Sequence, residues 1–456
     1  MKEQTSRREF LRRSSGTAAL FASTAALGGV YAFGAEKPAT VTLGIIGCGG
    51  IMTTHVKRLA KVGKAVSIAW LCDVDPAQIE KTSGLITGSP NSTAKFEDVL
   101  ADKKVDACLI ATPNHWHTPI AVAAMQAGKD VYVEKPATHV FSEGPLLIAA
   151  AKKYGRVVQH GTQMRSSPVT DKAHKLLKEG IIGEIKVARA WSAELRPAVP
   201  AVPDDKVPTG VDYDRWLGPA PRHAFNQQRF HKTWRMFRDY SNGDIGDDGV
   251  HDIDMAALAL GVETLPTRIT ARGGRLLQGH ASEFPDNMNV TYEYPNGRLL
   301  IYEAYPTTSY GIYNVDNGNA FYGTEGYMIF SRRGFFNVYL GPKSELGPTE
   351  GKELRGQRGY NEHLADFLTA VRQRTSTRAG AEMAHRSSAF AHLGNIAAQT
   401  RGQLDFDPKT ERFLDCDEAN LLLTKQYRQP FGVPDISYFH SRFGRGIRDD
   451  SATSCC

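Results

Sequence analysis

The sequence predicts an α/β protein, in which an N-terminal doubly wound parallel sheet precedes a C-terminal α+β domain with a large, mainly antiparallel sheet. First, buried strands alternate with helices between residues 41 and 159, which is typical of a parallel sheet covered by helices. Second, strand-like stretches follow one another from Lys186 to Phe330, and Pro295-Asn296-Gly297 joins two of them as a hairpin. Third, 456 residues exceed what one core usually contains, so two domains are expected.

The first strand, turn and helix have the form of a dinucleotide site. A buried strand over 41–46 leads into Gly47-Cys48-Gly49-Gly50 and then a helix from about Ile51. Gly47 and Gly49 permit a tight turn and a close approach of backbone to a pyrophosphate, which the helix N-terminus at Gly50 and Ile51 attracts. Met52 stands where the fingerprint usually has Gly or Ala, so the motif is imperfect. These residues predict a Rossmann domain.

The second strand ends next to a carboxylate. Asp73 follows the strand over 66–71, where an acidic side chain meets the hydroxyls of the adenosine ribose. Because such a carboxylate repels a 2′-phosphate, NAD is expected as the cofactor and NADP is disfavoured. The alternative interpretation of Asp73 is a helix cap beside Asp75-Pro76.

Two further strand ends are expected at the same rim of the sheet. A buried strand over 105–111 precedes the loop Thr112-Pro113-Asn114-His115-Trp116-His117, after which Thr118 is expected to cap a helix beginning at Pro119. The strand over 131–133 ends in Glu134-Lys135-Pro136. Ligands of doubly wound sheets gather at such carboxyl ends, so Thr112, Pro113, Asn114, His117, Glu134 and Lys135 are predicted to contact the cofactor. For His117 the alternative is a histidine that orders the turn.

The glycine turn, Ala111-Thr112-Pro113-Asn114-His115 and Glu134-Lys135-Pro136, in this order, resemble the Gfo/Idh/MocA oxidoreductase family. The resemblance implies that Lys135 is catalytic and works at the reacting carbinol. It also implies that the segment from His160 to Arg165 crosses into a substrate domain, where Gln163 and Arg165 face the nicotinamide or substrate hydroxyls. A surface arginine is the alternative for Arg165.

In the second domain, the segment from Gly243 to Asp254 matches the family's Asp-x-Gly-x-His-x-x-Asp helix at Asp247, Gly249, His251 and Asp254. Residues four apart share a helix face, so Asp247 and His251 are expected to reach one substrate carbon. His251 suits a base near neutrality, and Asp247 is expected to orient or charge-stabilise its imidazole. For Asp244, Asp248 and Asp252 we favour a role at the helix N-terminus.

Aromatic and basic loops precede that helix. In the family this region lines the substrate pocket, so Trp234 and Arg235 are predicted to bind substrate, while Trp216 is explained equally well by core packing. The second sheet is expected to have one face against helices and one open to a ligand cleft. Near the C-terminus, a helix with an apolar face from Leu364 to Val371 and another over 381–400 are expected to pack one domain on the other.

Residues 1–35 resemble a twin-arginine export signal, with Ser6-Arg7-Arg8-Glu9-Phe10-Leu11 followed by a weakly apolar stretch rich in Ala and Gly. Gly28, Gly29 and Gly34 break the stretch, and it is short of the roughly 20 strongly apolar residues that a membrane span requires, so no stable membrane anchor is expected. The resemblance implies a periplasmic or otherwise exported protein folded around tightly bound NAD. The remaining domains are predicted at 36–160 for NAD and 161–456 for substrate.

Charge and cysteine content exclude other classes. The formal net charge is +6, but residues 1–35 hold five basic and two acidic side chains and thus account for half of it. The positive charge on the remaining residues is too dilute for a nucleic-acid site. Cys48, Cys72 and Cys108 lie in apolar runs, so buried thiols are expected. No spacing of Cys and His suggests a metal.

The predicted function is reversible, NAD-dependent hydride transfer to or from a secondary alcohol or ketone of a sugar, polyol or glycoside. One alternative is an NAD-dependent glycosidase or lyase that oxidises its substrate transiently before elimination. Another is a sugar-binding protein without activity on the same scaffold. By resemblance, a homo-oligomer is expected.

Overall fold

A computed structural model describes residues 40–305, 307, 311–351 and 354–436 of the chain. The predicted export signal lies outside the described residues. The strands are β1 Val41–Ile46, β2 Val66–Cys72, β3 Asn91–Thr93, β4 Ala107–Ile110, β5 Asp130–Val133, β6 Val158–His160, β7 Ile185–Ser192, β8 Arg268–Gly274, β9 Asn287–Glu293, β10 Leu299–Ala304, β11 Asn317–Gly323, β12 Gly326–Ser331, β13 Phe335–Leu340, β14 Glu345–Glu350, β15 Gln403–Asp407 and β16 Arg412–Phe413. The α-helices are α1 Gly50–Leu59, α2 Pro76–Ser83, α3 Phe96–Ala101, α4 Asn114–Gln126, α5 Glu143–Tyr154, α6 Pro168–Lys178, α7 Tyr213–Leu217, α8 Val250–Leu260, α9 Tyr360–Gln373, α10 Ala381–Gln399 and α11 Asp417–Leu421.

The first sheet is parallel and doubly wound, as predicted. Its strand order is β3-β2-β1-β4-β5-β6, and every pair is parallel. Apolar side chains are buried on both of its faces, because helices cover both. The carboxyl ends of β1, β2, β4 and β5 therefore lie along one rim.

One predicted boundary in this sheet is wrong. The helix after β4 begins at Asn114, so Pro119 lies inside α4 and Thr118 does not cap it. The hydroxyl of Thr118 donates instead to the carbonyl of Ala137, 3.1 Å away. Pro119 is the sixth residue of α4 and has no N–H, so the helix lacks the hydrogen bond that this position would donate to the carbonyl of His115. His115 and His117 consequently lie in a helical turn and not in a loop.

The second sheet is large and mainly antiparallel, also as predicted. In the described part of the chain it has the order β14-β13-β12-β11-β7-β10-β9-β8-β15-β16, and the β7–β10 pair is parallel. The sequence analysis did not predict β13 to β16. β14 is an edge strand that contains Gly347 and Pro348 and buries little, so it lacks the apolar alternation that marks a strand.

One face of this sheet is covered by α8 and α10, where the largest apolar cluster lies. Tyr292 and Phe390, for example, meet edge to face with ring centroids 5.1 Å apart. The C-terminal helices divide their contacts. α9 packs Leu364, Phe367 and Leu368 beneath the first sheet, and α10 contacts both α5 and β8. The division into domains at residue 160 stays a prediction.

The cysteines of the described part are buried thiols. Cys48, Cys72 and Cys108 lie in or beside the first sheet, as predicted, and Cys416 is buried near α11. In the same part of the chain, no cluster of His, Cys, Asp and Glu could hold a metal, and no helix is long and apolar enough to cross a membrane.

Candidate active site

A cavity of about 1080 Å³ lies along the carboxyl ends of the first sheet. Its opposite wall comes from the second half of the chain: the aromatic loops around Trp234, the start of α8, and the turn after β12. The prediction of a cleft on the open face of the second sheet is wrong. The cavity lies at the face of the second sheet that α8 covers. The first turn of α8 reaches the rim of the first sheet, and His251 in that turn lines the cavity.

The glycine turn leaves room on the cavity side. Gly47 has φ +87°, and a Cβ there would lie 2.7 Å from the carbonyl carbon of Ala111, so only glycine fits. A Cβ at Gly49 or Gly50 would meet nothing within 4 Å. These two glycines and Ile51 line the cavity at the N-terminus of α1, which is the place where we expect a pyrophosphate.

Asp73 lies at the end of β2 and lines the cavity. One carboxylate oxygen accepts from the backbone N–H of Cys48 at 2.7 Å, and the other accepts from that of Asp75 at 3.0 Å. These bonds aim the carboxylate along the glycine turn. The alternative role of helix cap belongs to Asp75, which accepts from the N–H of Ala77 at the start of α2.

The end of β4 supplies two polar atoms without protein partners. Thr112 Oγ1 and Asn114 Oδ1 are buried, line the cavity with Pro113, and have no hydrogen-bond partner among the described residues. His117 also lines the cavity, but its ring nitrogens lie 2.7 Å from the carbonyl of Pro136 and 2.8 Å from that of Thr112. Its role is therefore to hold the turn, which was the alternative interpretation. His115 is buried with Nε2 3.0 Å from the carbonyl of Trp216 and does not line the cavity.

Glu134 is a buried anion at the cavity wall. Its Oε1 lies 2.8 Å from His55 Nε2. Burial alone would raise the pKa of Glu134, but the hydrogen bond from His55 and the charges of His55 and Lys135 lower it to about 2. Glu134 stays ionised next to the lysine that follows it.

Lys135 meets the second half of the chain through Asp247. Lys135 Nζ lies 2.6 Å from Asp247 Oδ1 and also donates to the backbone carbonyl of Asp247. The other carboxylate oxygen of Asp247 lies 3.0 Å from Arg235 Nε. Burial opposes ionisation, but these two cations hold the pKa of Asp247 well below its ordinary value.

The expected pairing of Asp247 with His251 is therefore wrong. Residues 245–249 form a π-helical turn before α8, so positions four apart do not keep α-helical register there. The carboxylate of Asp247 is turned to Lys135 and Arg235, and Nδ1 of His251 is buried without a hydrogen-bond partner among the described residues. Asp247 orients the lysine and not the imidazole.

His251 lies in the first turn of α8 and lines the cavity with 6% of its surface exposed. Burial, together with the charges of Arg332 and Lys135, lowers its pKa to about 3. The expectation of a histidine that titrates near neutrality is thus wrong for the free protein. The imidazole is neutral at neutral pH and able to accept a proton.

Asp248 and Asp252 lie in the first turns of the π-helical segment and of α8, as interpreted, and Asp244 directly precedes the π-helical segment, where its side chain makes no capping hydrogen bond. Asp248 lies 2.6 Å from Arg332 and 2.8 Å from Arg196, and Asp244 lies 2.7 Å from Arg196. Burial opposes the effect, but the charges of Arg332 and Arg196 lower the pKa of Asp248 to about 2. Burial raises the pKa of Asp252 to about 8, so this carboxyl is largely protonated at neutral pH.

Arg165 does not line the cavity, so its predicted role in substrate binding is wrong. Its guanidinium binds the carboxylate of Asp254 through two bonds, of 2.7 and 2.8 Å. Asp254 also accepts from the hydroxyl of Ser387 on α10. This buried ion pair joins the crossover segment to α8. Gln163, two residues earlier, does line the cavity.

The aromatic loops form the wall opposite the glycine turn. Trp234 and Arg235 line the cavity, and the guanidinium of Arg235 lies 4.4 Å from the ring centroid of Trp234. Their binding of substrate stays a prediction. Both interpretations of Trp216, pocket lining and core packing, apply. Trp216 lines the cavity, and its ring centroid lies 4.8 Å from that of Tyr240.

Sequence analysis missed several charged residues of the cavity. Arg332 and Arg333 lie in the turn after β12, and Glu194 and Arg358 lie in loops after β7 and before α9. The signal available was the adjacent pair Arg332-Arg333 directly after a predicted strand, at a position where ligands commonly bind.

The residues present fit NAD. The open space before Gly49 and Gly50, the aimed carboxylate of Asp73 and the unpartnered Thr112 and Asn114 together match the diphosphate, ribose and amide of a dinucleotide. A parallel sheet with such a rim and a second domain that closes the cavity define a nicotinamide-dependent oxidoreductase.

Comparisons with known proteins agree. Residues 41–162 match the model of the "Oxidoreductase family, NAD-binding Rossmann fold", and residues 189–433 match that of the "Oxidoreductase family, C-terminal alpha/beta domain". The chain belongs to the Gfo/Idh/MocA oxidoreductase family.

The curated relatives of the chain include dehydrogenases. Levoglucosan dehydrogenase of Pseudarthrobacter phenanthrenivorans is 26% identical over 57% of this chain and 68% of its own length. Inositol 2-dehydrogenase 2 of Saccharopolyspora erythraea is 25% identical over 60% of this chain and 68% of its own length. A solved structure of levoglucosan dehydrogenase with NADH and levoglucosan aligns with a TM-score of 0.64, 21% identity, 80% of this chain and 99% of the other. NAD is accordingly the cofactor.

Proposed function

We propose that the protein catalyses reversible oxidation of a secondary hydroxyl of a sugar, polyol or glycoside to the ketone. The observation that carries this is that Lys135, from the first sheet, and His251, from α8, line one cavity beside the nicotinamide-binding rim. The relatives named for levoglucosan and inositol support the substrate class.

The chain's own residues provide charge and a proton acceptor. Bound NAD supplies the acceptor for hydride. The ammonium of Lys135, held by Asp247 at 2.6 Å, stabilises negative charge on the substrate oxygen. His251 is neutral and accepts the hydroxyl proton, and Trp234 offers an apolar surface to the sugar ring.

Replacing the histidine tests this assignment. The variant His251→Gln should lower kcat for NAD reduction by about 10²- to 10⁴-fold, because it removes the proton acceptor. Its affinity for NAD, measured by fluorescence titration with NADH, should stay unchanged. His223→Gln is the matched control, since His223 pairs with Asp239 away from the cavity.

Product analysis separates the alternatives. Keto-sugar formed with one NADH per turnover supports the proposal, whereas cleavage of a glycoside without net NADH supports transient oxidation and elimination. No NAD reduction with any sugar, polyol or glycoside of a broad panel contradicts enzymatic oxidation altogether.

We propose further that the protein is exported and retains its cofactor tightly. The support is the Arg7-Arg8 motif, since the twin-arginine route carries folded proteins with their cofactors. Cell fractionation, and the NAD content of purified protein after desalting, test the two parts. A cytoplasmic location or complete loss of NAD contradicts them.

A further inference from the structure

Among the described residues, the partly buried basic side chains around the second-half wall of the cavity are matched with carboxylates, with one exception. Lys232 also lines this wall without a carboxylate, but it is exposed to solvent. The matched pairs are Lys135 and Arg235 with Asp247, Arg332 with Asp248, Arg333 with Asp316 and Glu194, and Arg196 with Asp244 and Asp248. Arg358 lines the same cavity, and its guanidinium has no ion pair or hydrogen bond to any residue that the structure describes.

The backbone around Arg358 is fixed. The N–H of Gly356 donates to the carbonyl of Arg333 at 2.7 Å, which ties the loop to the turn after β12. On the other side, Gly359 packs so closely on the crossover segment that an added Cβ would lie 2.4 Å from the carbonyl of Gln163. Arg358 is therefore held between two segments that line the cavity, one carrying Arg332 and the other Gln163.

This position belongs to the substrate end of the cavity. Arg332 binds Asp248 and its charge lowers the pKa of His251, so the turn that anchors the Arg358 loop lies beside the proposed proton acceptor. The glycine turn that fits the cofactor's diphosphate follows β1, whereas Lys135 follows β5 of the same sheet. Arg358 and His251 line the same cavity, and the charge of Arg332 acts on both of them.

The charges leave a place for one anion. Partial burial and the nearby charges of Arg333 and Arg332 lower the pKa of Arg358, so the three guanidinium groups repel one another. Asp252 does not compensate, because its carboxyl is largely protonated at neutral pH. Among the partly buried cations of this wall, Arg358 is thus the one that the described carboxylates leave unmatched.

We infer that the substrate is an acidic sugar whose carboxylate is bound by Arg358. The inference rests on the proposed function and deepens it by assigning the substrate class. The planar fork of a guanidinium matches a carboxylate with two parallel hydrogen bonds, and one unmatched, partly buried positive charge suits one negative charge. A sugar phosphate, with nearly two charges, fits this balance less well.

The test compares paired sugars that differ in the anionic group. Binding of D-glucuronate, D-glucose and glucose 6-phosphate, and of D-galacturonate and D-galactose, is measured on the NAD-loaded protein by quenching of the fluorescence of Trp216 and Trp234. In at least one pair the uronate should bind about tenfold or more tightly than the neutral sugar, which is about 1.4 kcal/mol. kcat/KM for NAD reduction should follow the same order.

The variant Arg358→Gln should abolish the advantage of the uronate and leave the affinity for NADH and for neutral sugars unchanged. Arg358→Lys should retain part of it, because it keeps the charge without the fork. Arg355→Gln is the matched control, since Arg355 lies in the same loop, is exposed and does not line the cavity.

Three results would overturn the inference: no advantage of the uronate in either pair, a preference for the phosphate, or a loss of NADH affinity in Arg358→Gln. If neutral sugars are oxidised without an acidic advantage, the proposed function stands and only this inference fails. If no sugar is bound or oxidised, both fail.

Discussion

At the scale of single residues, the same residue type has opposite roles according to its partner. Arg165 and Arg358 lie on segments that touch each other near Gln163. Arg165 is saturated by Asp254, whereas Arg358 has no carboxylate partner among the described residues. Sequence alone does not distinguish them, because the partner of Arg165 is 89 positions away. A functional role follows from the unmatched charge and not from the residue type.

The reassignment of Arg165 makes a testable prediction. Arg165→Gln leaves Asp254 buried without its cation and should lower the free energy of unfolding by about 3–5 kcal/mol. KM for the substrate should change little, because Arg165 does not line the cavity. Urea unfolding and steady-state kinetics measure the two effects.

Arg268→Gln provides the control for charge removal, since its pair with Asp405 is exposed and should contribute little to stability. A large rise in KM for Arg165→Gln with unchanged stability would return Arg165 to the substrate site.

At the scale of elements, sequence analysis placed correctly the strand ends that a short local pattern identifies. The glycine turn and the strand end at Glu134-Lys135-Pro136 each combine a buried strand with the residues that follow it, and the structure brings them to one rim. The π-helical turn at 245–249 was not predictable, because its sequence also fits the first turn of an ordinary helix. That single difference in register moves Asp247 from His251 to Lys135.

The glycine turn separates folding from cofactor binding. Gly47→Ala introduces a Cβ 2.7 Å from the backbone of Ala111 at a positive φ, so it should lower the melting temperature. Gly49→Val adds its side chain where the protein leaves open space and at φ −73°, so the melting temperature without NAD should stay near that of the wild type. Its affinity for NADH should fall by more than about tenfold, or 1.4 kcal/mol.

Differential scanning fluorimetry and NADH titration measure both variants. Equal NADH affinity in Gly49→Val and the wild type would show that the diphosphate lies elsewhere.

At the scale of the whole molecule, buried histidines couple stability to pH. Burial lowers the pKa to about 3 for His115, His160, His251 and His392, and to about 4 for His363. Because the unfolded chain protonates these residues near pH 6.5 and the folded one does not, their contribution to stability is lost as the pH falls below 6.5. Burial raises the pKa of Asp252 to about 8 and that of Asp244 to about 6, which acts in the opposite direction.

These groups together leave the unfolded state with roughly three more protons than the folded state near pH 5. Burial also lowers the pKa of His117 and of His139, which adds to this difference. The free energy of unfolding should therefore fall by about 4 kcal/mol or more per pH unit there. Urea unfolding at closely spaced pH values between 7 and 4.5 measures this slope. A free energy that is constant or rises over the range pH 6 to 4.5 would contradict the buried, neutral state of the histidines.

The apolar face of α9, from Leu364 to Val371, lies beneath a sheet whose strands all precede residue 161. A fragment that stops after β6 therefore lacks the lower cover of its own sheet, and Tyr132 loses its edge-to-face neighbour Phe367. During synthesis, the nucleotide-binding half leaves the ribosome first. Its apolar core is completed only after α9 has also been synthesised. Truncation after β6 would consequently expose apolar surface on the nucleotide-binding half, although the sequence of that half alone resembles a complete domain.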